Sequence, residues 1–270
     1  RDLKTHLLQD YRTDSLPIIN NSAVDLNLGI ALRSFTEINQ LDGTLSINIW
    51  LRHWWYDEYL RWEPSNWNNI SSIVLFTDSD MGESIWVPDI YLYNTAENPL
   101  SELNEGRVKI YNDGYILWSR PGIIKSTCTF NLTSFPYDEQ NCNLKFGSWS
   151  YHGDEVNLNP GTPAIDISEL QPNQEWDLVN HTFKKNVKYY TCCPEPYPDV
   201  TFNITLRRRP GFYNTNILLP AFATASLMLL SLVVPSESGE RIGFVTTVML
   251  SIIVFLLILS ENLPKSDTEP

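Results

Sequence analysis

The sequence has no Cys-x-x-Cys pair and no histidines in metal-ligand spacing, with only four cysteines and four histidines in 270 residues. That absence removes the zinc-finger and dithiol-redox readings, and no metal is expected. Positive charge is also short: 19 lysines and arginines face 32 aspartates and glutamates, a formal net charge of -13. Such a chain repels a polyanion, so nucleic acid is excluded as a partner and a cationic ligand or permeant species is favoured. No internal repeat and no low-complexity linker divides it. Enzymatic motifs are missing too. His152 and Asp154 lie close together, but no nucleophile motif, metal-ligand spacing or paired acid site accompanies them, so a solvated loop explains them better than hydrolysis. No catalytic residue and no cofactor is expected.

What is present is unevenly placed. Hydrophobic residues make up 43% of the chain, yet its mean hydropathy is a mildly polar -0.21. The imbalance is explained by two apolar runs near the end, Phe212 to Val234 and Ile242 to Leu259, each close to the ~20 residues that cross a bilayer. Pro220 inside the first run is tolerated in a membrane helix. The run ends at Pro235, the short polar link Ser236 to Arg241 implies a helical hairpin, and the second helix is expected to stop at Pro264. The even cysteine set, Cys128, Cys142, Cys192 and Cys193, suggests two disulfides. Sequons begin at Asn20, Asn69, Asn131, Asn180 and Asn203, all before the first apolar run, which points to a glycosylated, oxidising compartment. Arg207, Arg208 and Arg209 beside that run would favour cytoplasm by the positive-inside rule, but long domains translocate regardless of flanking charge, so the cysteines and sequons decide. No cleavable leader precedes Arg1, and the sequence is read as starting at a mature end.

Leu3, Leu7, Leu8 and Tyr11 share one face of a short amphipathic helix over Asp2 to Tyr11. Beyond Pro17 come short β-branched and aromatic stretches: Val24 to Leu32, Thr44 to Trp55, Ile73 to Phe76, Val108 to Tyr111, Tyr115 to Ser119 and Val200 to Leu206. Punctuated by Asp-Gly and Pro, they predict an antiparallel β-sandwich. The expected fold class is a mainly β extracellular sandwich with a short N-terminal helix, plus α-helical transmembrane segments. The expected domains are 1–209, a ligand-binding sandwich; 210–264, a channel region holding the first two membrane helices (212–234 and 242–259); and 265–270, an extracellular stub.

Between Cys128 and Cys142 the chain reads CTFNLTSFPYDEQNC, which resembles the signature loop of the Cys-loop receptors, the pentameric ligand-gated ion channels. The segment Tyr189-Tyr190-Thr191-Cys192-Cys193-Pro194-Glu195-Pro196-Tyr197 is similar to the ligand-capping loop of their nicotinic α-type subunits. The resemblance implies a Cys128–Cys142 disulfide, stabilising by roughly 3 kcal/mol in the chain-entropy account, and a Cys192–Cys193 disulfide between neighbours. It also implies that Phe135 and Pro136, at the tip of the first loop, press on the membrane helices.

Three further segments match the same pocket: Trp86 to Asn94 (WVPDIYLYN), Gly147 to Tyr151 (GSWSY) and Trp55 to Trp62 (WYDEYLRW). Carried over residue by residue, the resemblance nominates Tyr93, Trp149, Tyr190 and Tyr197 for a principal face and Trp55 for a complementary face, with Leu117 and Ser119 beside it. A quaternary ammonium has no hydrogen to donate, so converging aromatic faces hold it, at roughly 0.5 to 2 kcal/mol per contact. Strand alternation, however, gives Trp55 the core-side parity of Leu45, Ile47, Ile49 and Leu51. Trp50, Trp54, Trp62, Trp67, Trp86, Trp118 and Trp176 are read as structural. Lys145 and Asp199 match a pair near the capping loop. Arg208 matches an arginine that couples binding to gating, and Asp42, in the Leu41 to Ser46 turn, is the candidate acidic partner.

The second apolar run resembles the family's pore-lining helix. Gly243, Thr247, Leu250, Val254, Ile258 and Glu261 recur at three- and four-residue steps and share a face. The resemblance makes Gly243 and Thr247 a wet half and Leu250 and Val254 a constriction that gates by dewetting. Glu240 would form a cytoplasmic carboxylate ring and Glu261 an outer one; anion channels of the family carry a neutral Pro-Ala pair at the first position. The implied function is a subunit of a neurotransmitter-gated cation channel, a homo- or hetero-pentamer of like subunits in the plasma membrane, the postsynaptic one included. Acetylcholine or a related small cationic agonist would bind between subunits, and monovalent cations would permeate across the lipid bilayer. One chain carrying both faces allows a homopentamer. The competing readings are a binding-only protein like the soluble acetylcholine-binding proteins, opposed by the apolar runs, and an anion-selective relative, opposed by Glu240.

Overall fold

In the computed structural model, residues 2–19, 22–77, 84–97, 106–233, 239 and 241–262 are described, with side chains of the last segment described to Leu257. Among the described residues ten strands form two sheets. The larger has the order β3-β5-β6-β2-β1-β8 and the smaller β4-β7-β10-β9, where β1 is Val24–Asn39, β2 Thr44–Tyr56, β3 Ser72–Phe76, β4 Ile90–Leu92, β5 Arg107–Tyr111, β6 Tyr115–Thr127, β7 Glu139–Ser148, β8 Val156–Asp166, β9 Trp176–Tyr190 and β10 Cys193–Arg208.

Period-two alternation puts the core between the sheets. On β2, Leu45, Ile47, Ile49 and Leu51 are buried, and on β10 Val200, Phe202, Ile204 and Leu206 face them from the other sheet. Phe146 of β7 meets Phe202 edge-on at 5.9 Å. The sandwich is not wholly antiparallel, as the strand pattern alone had suggested: β1 pairs β8 in parallel, Val24 opposite Val156 and Leu28 opposite Pro160. β8 reaches the larger sheet from β7 in the smaller one, and such a crossover is free to enter in either direction.

The helix α1 covers Asp2–Leu8 and buries Leu3 and Leu7, so it ends before Tyr11. Tyr11 instead donates its hydroxyl to Asp57 at 2.6 Å, fixing the segment after the helix to the loop after β2. The disulfide Cys128–Cys142 spans 5.2 Å between Cα atoms and links the end of β6 to β7, which belong to different sheets.

Beyond β10 the chain turns helical: α2 (Gly211–Tyr213), a π-helical stretch at Asn214–Leu218, α3 (Leu219–Leu230) and α4 (Arg241–Asn262). The wide turn falls immediately before Pro220, whose missing N–H and bulky ring do not fit a regular i to i-4 ladder. Among the described residues no helix is long and apolar enough to cross a membrane; α3 has 12 residues.

Candidate functional site

A cleft of about 710 Å³ opens beside the β9–β10 hairpin, lined by Tyr91, Tyr93, Thr95, Trp149, Tyr190, Cys192 and Tyr197 among others. Each aromatic arrives from a different place. Tyr93 follows β4, Trp149 follows β7, Tyr190 ends β9 and Tyr197 lies on β10. The bonded pair Cys192–Cys193 forms the hairpin tip. Four of the sequence-nominated residues, with both cysteines, are thus brought together.

The rings are held from behind by polar contacts rather than by packing alone. Asp89 accepts hydrogen bonds from the Ser148 hydroxyl and the Ser150 amide, both at 2.6 Å, so the loop presenting Trp149 is pinned on both flanks while its indole stays 74% exposed. Tyr93 donates its hydroxyl to the Ser148 carbonyl at 2.5 Å. Its ring passes so near Gly147 that any Cβ there would collide with it. Tyr190 and Tyr197 meet edge-on at 5.4 Å. The amide of Gly153 donates to the Pro196 carbonyl at 2.6 Å, tying the hairpin to the loop after β7.

Burial, reinforced by Tyr190 and Asp199, pushes the Tyr93 hydroxyl up to about 12, so it stays a neutral donor at physiological pH. Lys145 pairs with Asp199 at 3.1 Å and lies 5.8 Å from the Tyr93 ring centre. Asp199 is buried and also accepts from Asn186 and Thr201. An ion pair expected from the sequence is therefore present, anchored at its acidic end. Tyr91 escaped the sequence reading. It stands 6.3 Å from Trp149, edge to face, because alternation on the short strand β4 turns Ile90 and Leu92 inward and Tyr91 outward.

The complementary-face nomination of Trp55 is corrected by its packing. Trp55 is fully buried and meets Trp86 edge-on at 6.0 Å, so it reaches no surface that a neighbour could touch. β2 runs unbulged against β6, and the parity of Ile47, Ile49 and Leu51 carries straight through to Trp55. Leu117 and Ser119 do lie on the outward face, opposite Trp54 and Arg52.

A second cluster surrounds Arg208, which is fully buried at the end of β10. Asp138, inside the Cys128–Cys142 loop, receives two hydrogen bonds from it at 2.7 and 3.1 Å. Glu175 accepts at 3.0 Å and Gln40 at 2.8 Å, while the guanidinium carbon lies over the Trp176 ring, 4.1 Å from its centre. Asp42, the expected partner, instead accepts from Asn39 at 2.9 Å; the β1–β2 turn contributes the Gln40 amide. Phe135 contacts Tyr213 edge-on at 4.9 Å, Pro136 is buried behind it, and Tyr137 donates to the Asn214 side chain at 3.0 Å. Burial would raise the Asp138 carboxyl, but hydrogen bonds from Arg208 and Gln140 and the charge of Arg208 hold it below the usual carboxylate range.

On α4, Val248 is buried and Phe244, Ile252 and Phe255 are half-buried, whereas Gly243, Thr247, Leu250 and Val254 are exposed. The four nominated pore residues whose side chains are described are therefore all exposed. Thr247 returns its hydroxyl to the Gly243 carbonyl at 2.8 Å. Ile258 and Glu261 lie on α4 beyond the described side chains, and Glu240 and Asn20 lie outside the described residues. Of the remaining sequons, Asn69, Asn131 and Asn180 are exposed and Asn203 is half-buried. His152 sits on a loop, 3.5 Å from Glu155.

Residues 1–210 match the neurotransmitter-gated ion-channel ligand binding domain, and the chain belongs to that family. It is 36% identical over 270 residues to acetylcholine receptor subunit alpha-L1 of Schistocerca gregaria, an alignment covering 96% of this chain and 48% of the relative. It is 37% identical over 267 residues to acetylcholine receptor subunit alpha-type acr-16 of Caenorhabditis elegans (98% and 53% covered). Against neuronal acetylcholine receptor subunit alpha-9 of Rattus norvegicus the identity is 36% over 269 residues (99% and 55% covered). Within the family it is of the nicotinic α type, carrying the bonded Cys192–Cys193 pair. The chain spans about half the length of the curated relatives it matches.

Proposed function

We propose that the chain is a subunit of a pentameric, agonist-gated cation channel in the plasma membrane, opened by acetylcholine or a related small cation bound between subunits. The observation that carries this reading is the cleft itself. Trp149, Tyr93, Tyr190 and Tyr197 surround one space beneath the cysteine-tipped hairpin, with Lys145 already neutralised by Asp199. Among the described residues that line the cleft none is a carboxylate, so the rings themselves would attract a quaternary ammonium. A neighbouring subunit would close the cleft with the outward face around Leu117 and Ser119.

Residues 1–209 act as the extracellular binding unit and 210–264 as the membrane unit, crossing the bilayer at 212–234 and 242–259; 265–270 lead outward from it. Support comes from the apolar runs and from the packing of α3 against α4, which leaves Gly243, Thr247, Leu250 and Val254 free to line a fivefold pore. Glu240 and Glu261 would supply the carboxylate rings that select monovalent cations. Glycans would occupy the sequons on the extracellular side. Agonist binding closes the hairpin over the rings, and the displacement passes through Phe135, Pro136 and Arg208 to the helices. The agonist can open the pore only by binding the open state more tightly than the closed one.

Voltage-clamp recording from cells expressing the full-length protein tests this. Acetylcholine-evoked current that reverses with the sodium gradient is the expected result. Chloride-dependent reversal would overturn the selectivity, and agonist binding without current at the cell surface would favour a binding-only receptor.

A further inference from the structure

The Arg208 cluster contains two carboxylates of unlike standing, and the difference points to a job for one of them. Asp138 is buried and meets the guanidinium with both oxygens. It neutralises Arg208 and cannot leave without stranding a buried charge. Glu175 is 45% exposed, so its carboxylate can exchange protein contacts for water at small cost. The same Oε1 atom accepts from Arg208 at 3.0 Å and from the Tyr213 hydroxyl at 2.7 Å. Its backbone carbonyl accepts from the Arg209 amide at 2.7 Å. Glu175 therefore joins the segment before β9, the end of β10 and the first helical turn through one residue.

That segment is itself anchored on the far side. Asn173 accepts from the amides of Glu175 and Trp176 at 2.8 and 3.0 Å and donates to the Phe35 carbonyl of β1 at 3.3 Å, and the Gln171 amide donates to the Arg33 carbonyl at 2.8 Å. The β8–β9 connection thus runs as a strap from β1 to Tyr213. Tyr213 precedes the π-helical stretch Asn214–Leu218, where the backbone ladder is already irregular and a shift of the first turn is most easily absorbed.

We infer that Glu175 is a positioning residue that holds the first helical turn through Tyr213, so that the strap from β1, and not only the Cys128–Cys142 loop, sets when the helices move. This rests on the channel reading above and deepens it. Burial first, and then the hydrogen bond to Glu175, hold the Tyr213 hydroxyl protonated, so the contact persists across the physiological range.

The test is a double-mutant cycle in the full-length protein, with Glu175→Gln, Tyr213→Phe and the pair, and Asp14→Asn as a control away from the strap, since Asp14 pairs with Arg12 at the exposed surface. Agonist binding at the cell surface and agonist-evoked current are read separately. Losing a charge-assisted hydrogen bond corresponds to about a tenfold shift, so each single variant should move the half-maximal agonist concentration for current by about tenfold. The double variant should add little to either, with binding affinity moved far less and the control unchanged. Hydrogen exchange of the amides of residues 211–215 reads the same clamp without any agonist, and both single variants should raise it. A wild type that neither binds nor conducts would sink the channel reading while leaving the exchange result to decide this one. Additive single effects, or exchange unaltered by either variant, would overturn the inference.

Discussion

Replacing Asp138 by Asn leaves a buried guanidinium facing an amide, and the structure sets the size of the penalty. Arg208 and Asp138 have side chains 0% and 1% exposed, and Trp176, Phe135 and Tyr213 surround the cation within 5.2 Å. Water cannot take over the lost contacts. Breaking a buried pair by removing one partner costs about 3–5 kcal/mol; because Glu175 and Gln40 still accept from Arg208, we place the loss at the lower end, about 3 kcal/mol. The neighbouring pair Arg207–Glu139 is as short, 2.7 Å, but half-exposed, and Arg207→Gln should cost no more than about 1 kcal/mol. Chemical denaturation of the purified full-length protein, followed by tryptophan fluorescence, compares the two. The Asp138 carboxyl is held below its ordinary value, so its stabilisation is complete above the unfolded pKa of about 3.9 and is lost as pH falls through the depressed folded value. Asp138→Asn should therefore also flatten the acid limb of the stability curve. Equal midpoints for the two variants would refute the argument that burial, rather than distance, sets the worth of these pairs.

Trp149→Ala should weaken agonist binding by about tenfold, one cation–π contact, with little change in stability, because the indole is exposed. Trp55→Ala should do the reverse, destabilising by about 3–5 kcal/mol as a buried aromatic; radioligand saturation beside denaturation separates the two, and selective loss of binding in the Trp55 variant would restore it to the site. Burial raises the Asp57 carboxyl to about 6, opposed by hydrogen bonds from Tyr11, Tyr59 and Leu60. A carboxyl raised above its ordinary value of 3.8 binds more protons folded than unfolded, so it makes stability fall as pH rises between those two values. Asp57→Asn should remove that slope, and an unchanged profile would show that Asp57 is ionised without strain. Gly114→Ala places a Cβ at a φ of +84° and 2.5 Å from the Asp57 carbonyl, and should destabilise by at least about 1 kcal/mol in the same denaturation assay.

What the sequence made legible was set by locality. Tyr93, Trp149, Tyr190 and Tyr197 stand inside short motifs whose neighbours, Asp89, Gly147 and the two cysteines, also build the loops that present them, so motif and geometry agree. Alternation was right about Trp55 where motif matching was not, because register is a property of the whole strand and β2 keeps it from Leu45 to Trp55. The strands β4, β7, β8 and β9 do not stand out in the sequence. β9 is an edge strand whose outward residues include Lys184, Asn186 and Lys188, and β8 carries Pro160, Gly161 and Pro163, which read as loop until a partner strand supplies the hydrogen bonds. The partners of Arg208 were unreadable for another reason. Asp138 and Glu175 lie 70 and 33 residues away, and only the pairing of β10 with β7 and β9 within one sheet, Arg207 opposite Glu139 and Arg208 opposite Trp176, brings them beside it; from the turn holding Asp42 it is Gln40 that arrives.

The two clusters are joined by a single element, and its packing limits how one can act on the other. β10 runs from Cys193 at the hairpin tip to Arg208, 16 residues or roughly 50 Å at ~3.3 Å per residue. It is hydrogen-bonded on both sides, to β7 from Asp199 to Arg207 and to β9 along its length. A one-residue slip would turn Val200, Phe202, Ile204 and Leu206 out of the core, and each buried aliphatic or aromatic side chain is worth about 1.5–3 kcal/mol. No ligand contact of a few kcal/mol can drive that. On the proposed reading, a displacement at the capping hairpin must therefore travel as rigid movement of the four-stranded sheet against the six-stranded one. The disulfide Cys128–Cys142 and the bond of Arg208 to Gln40, in the turn between β1 and β2, cross between the sheets and are where such a movement is resisted, while the bonds of Arg208 to Asp138 and Glu175 tie together the end of the four-stranded sheet itself. The contacts free to change are the half-exposed ones at that end, Glu175 with Tyr213 and Tyr137 with Asn214, both of which sit on the first turn of the helix.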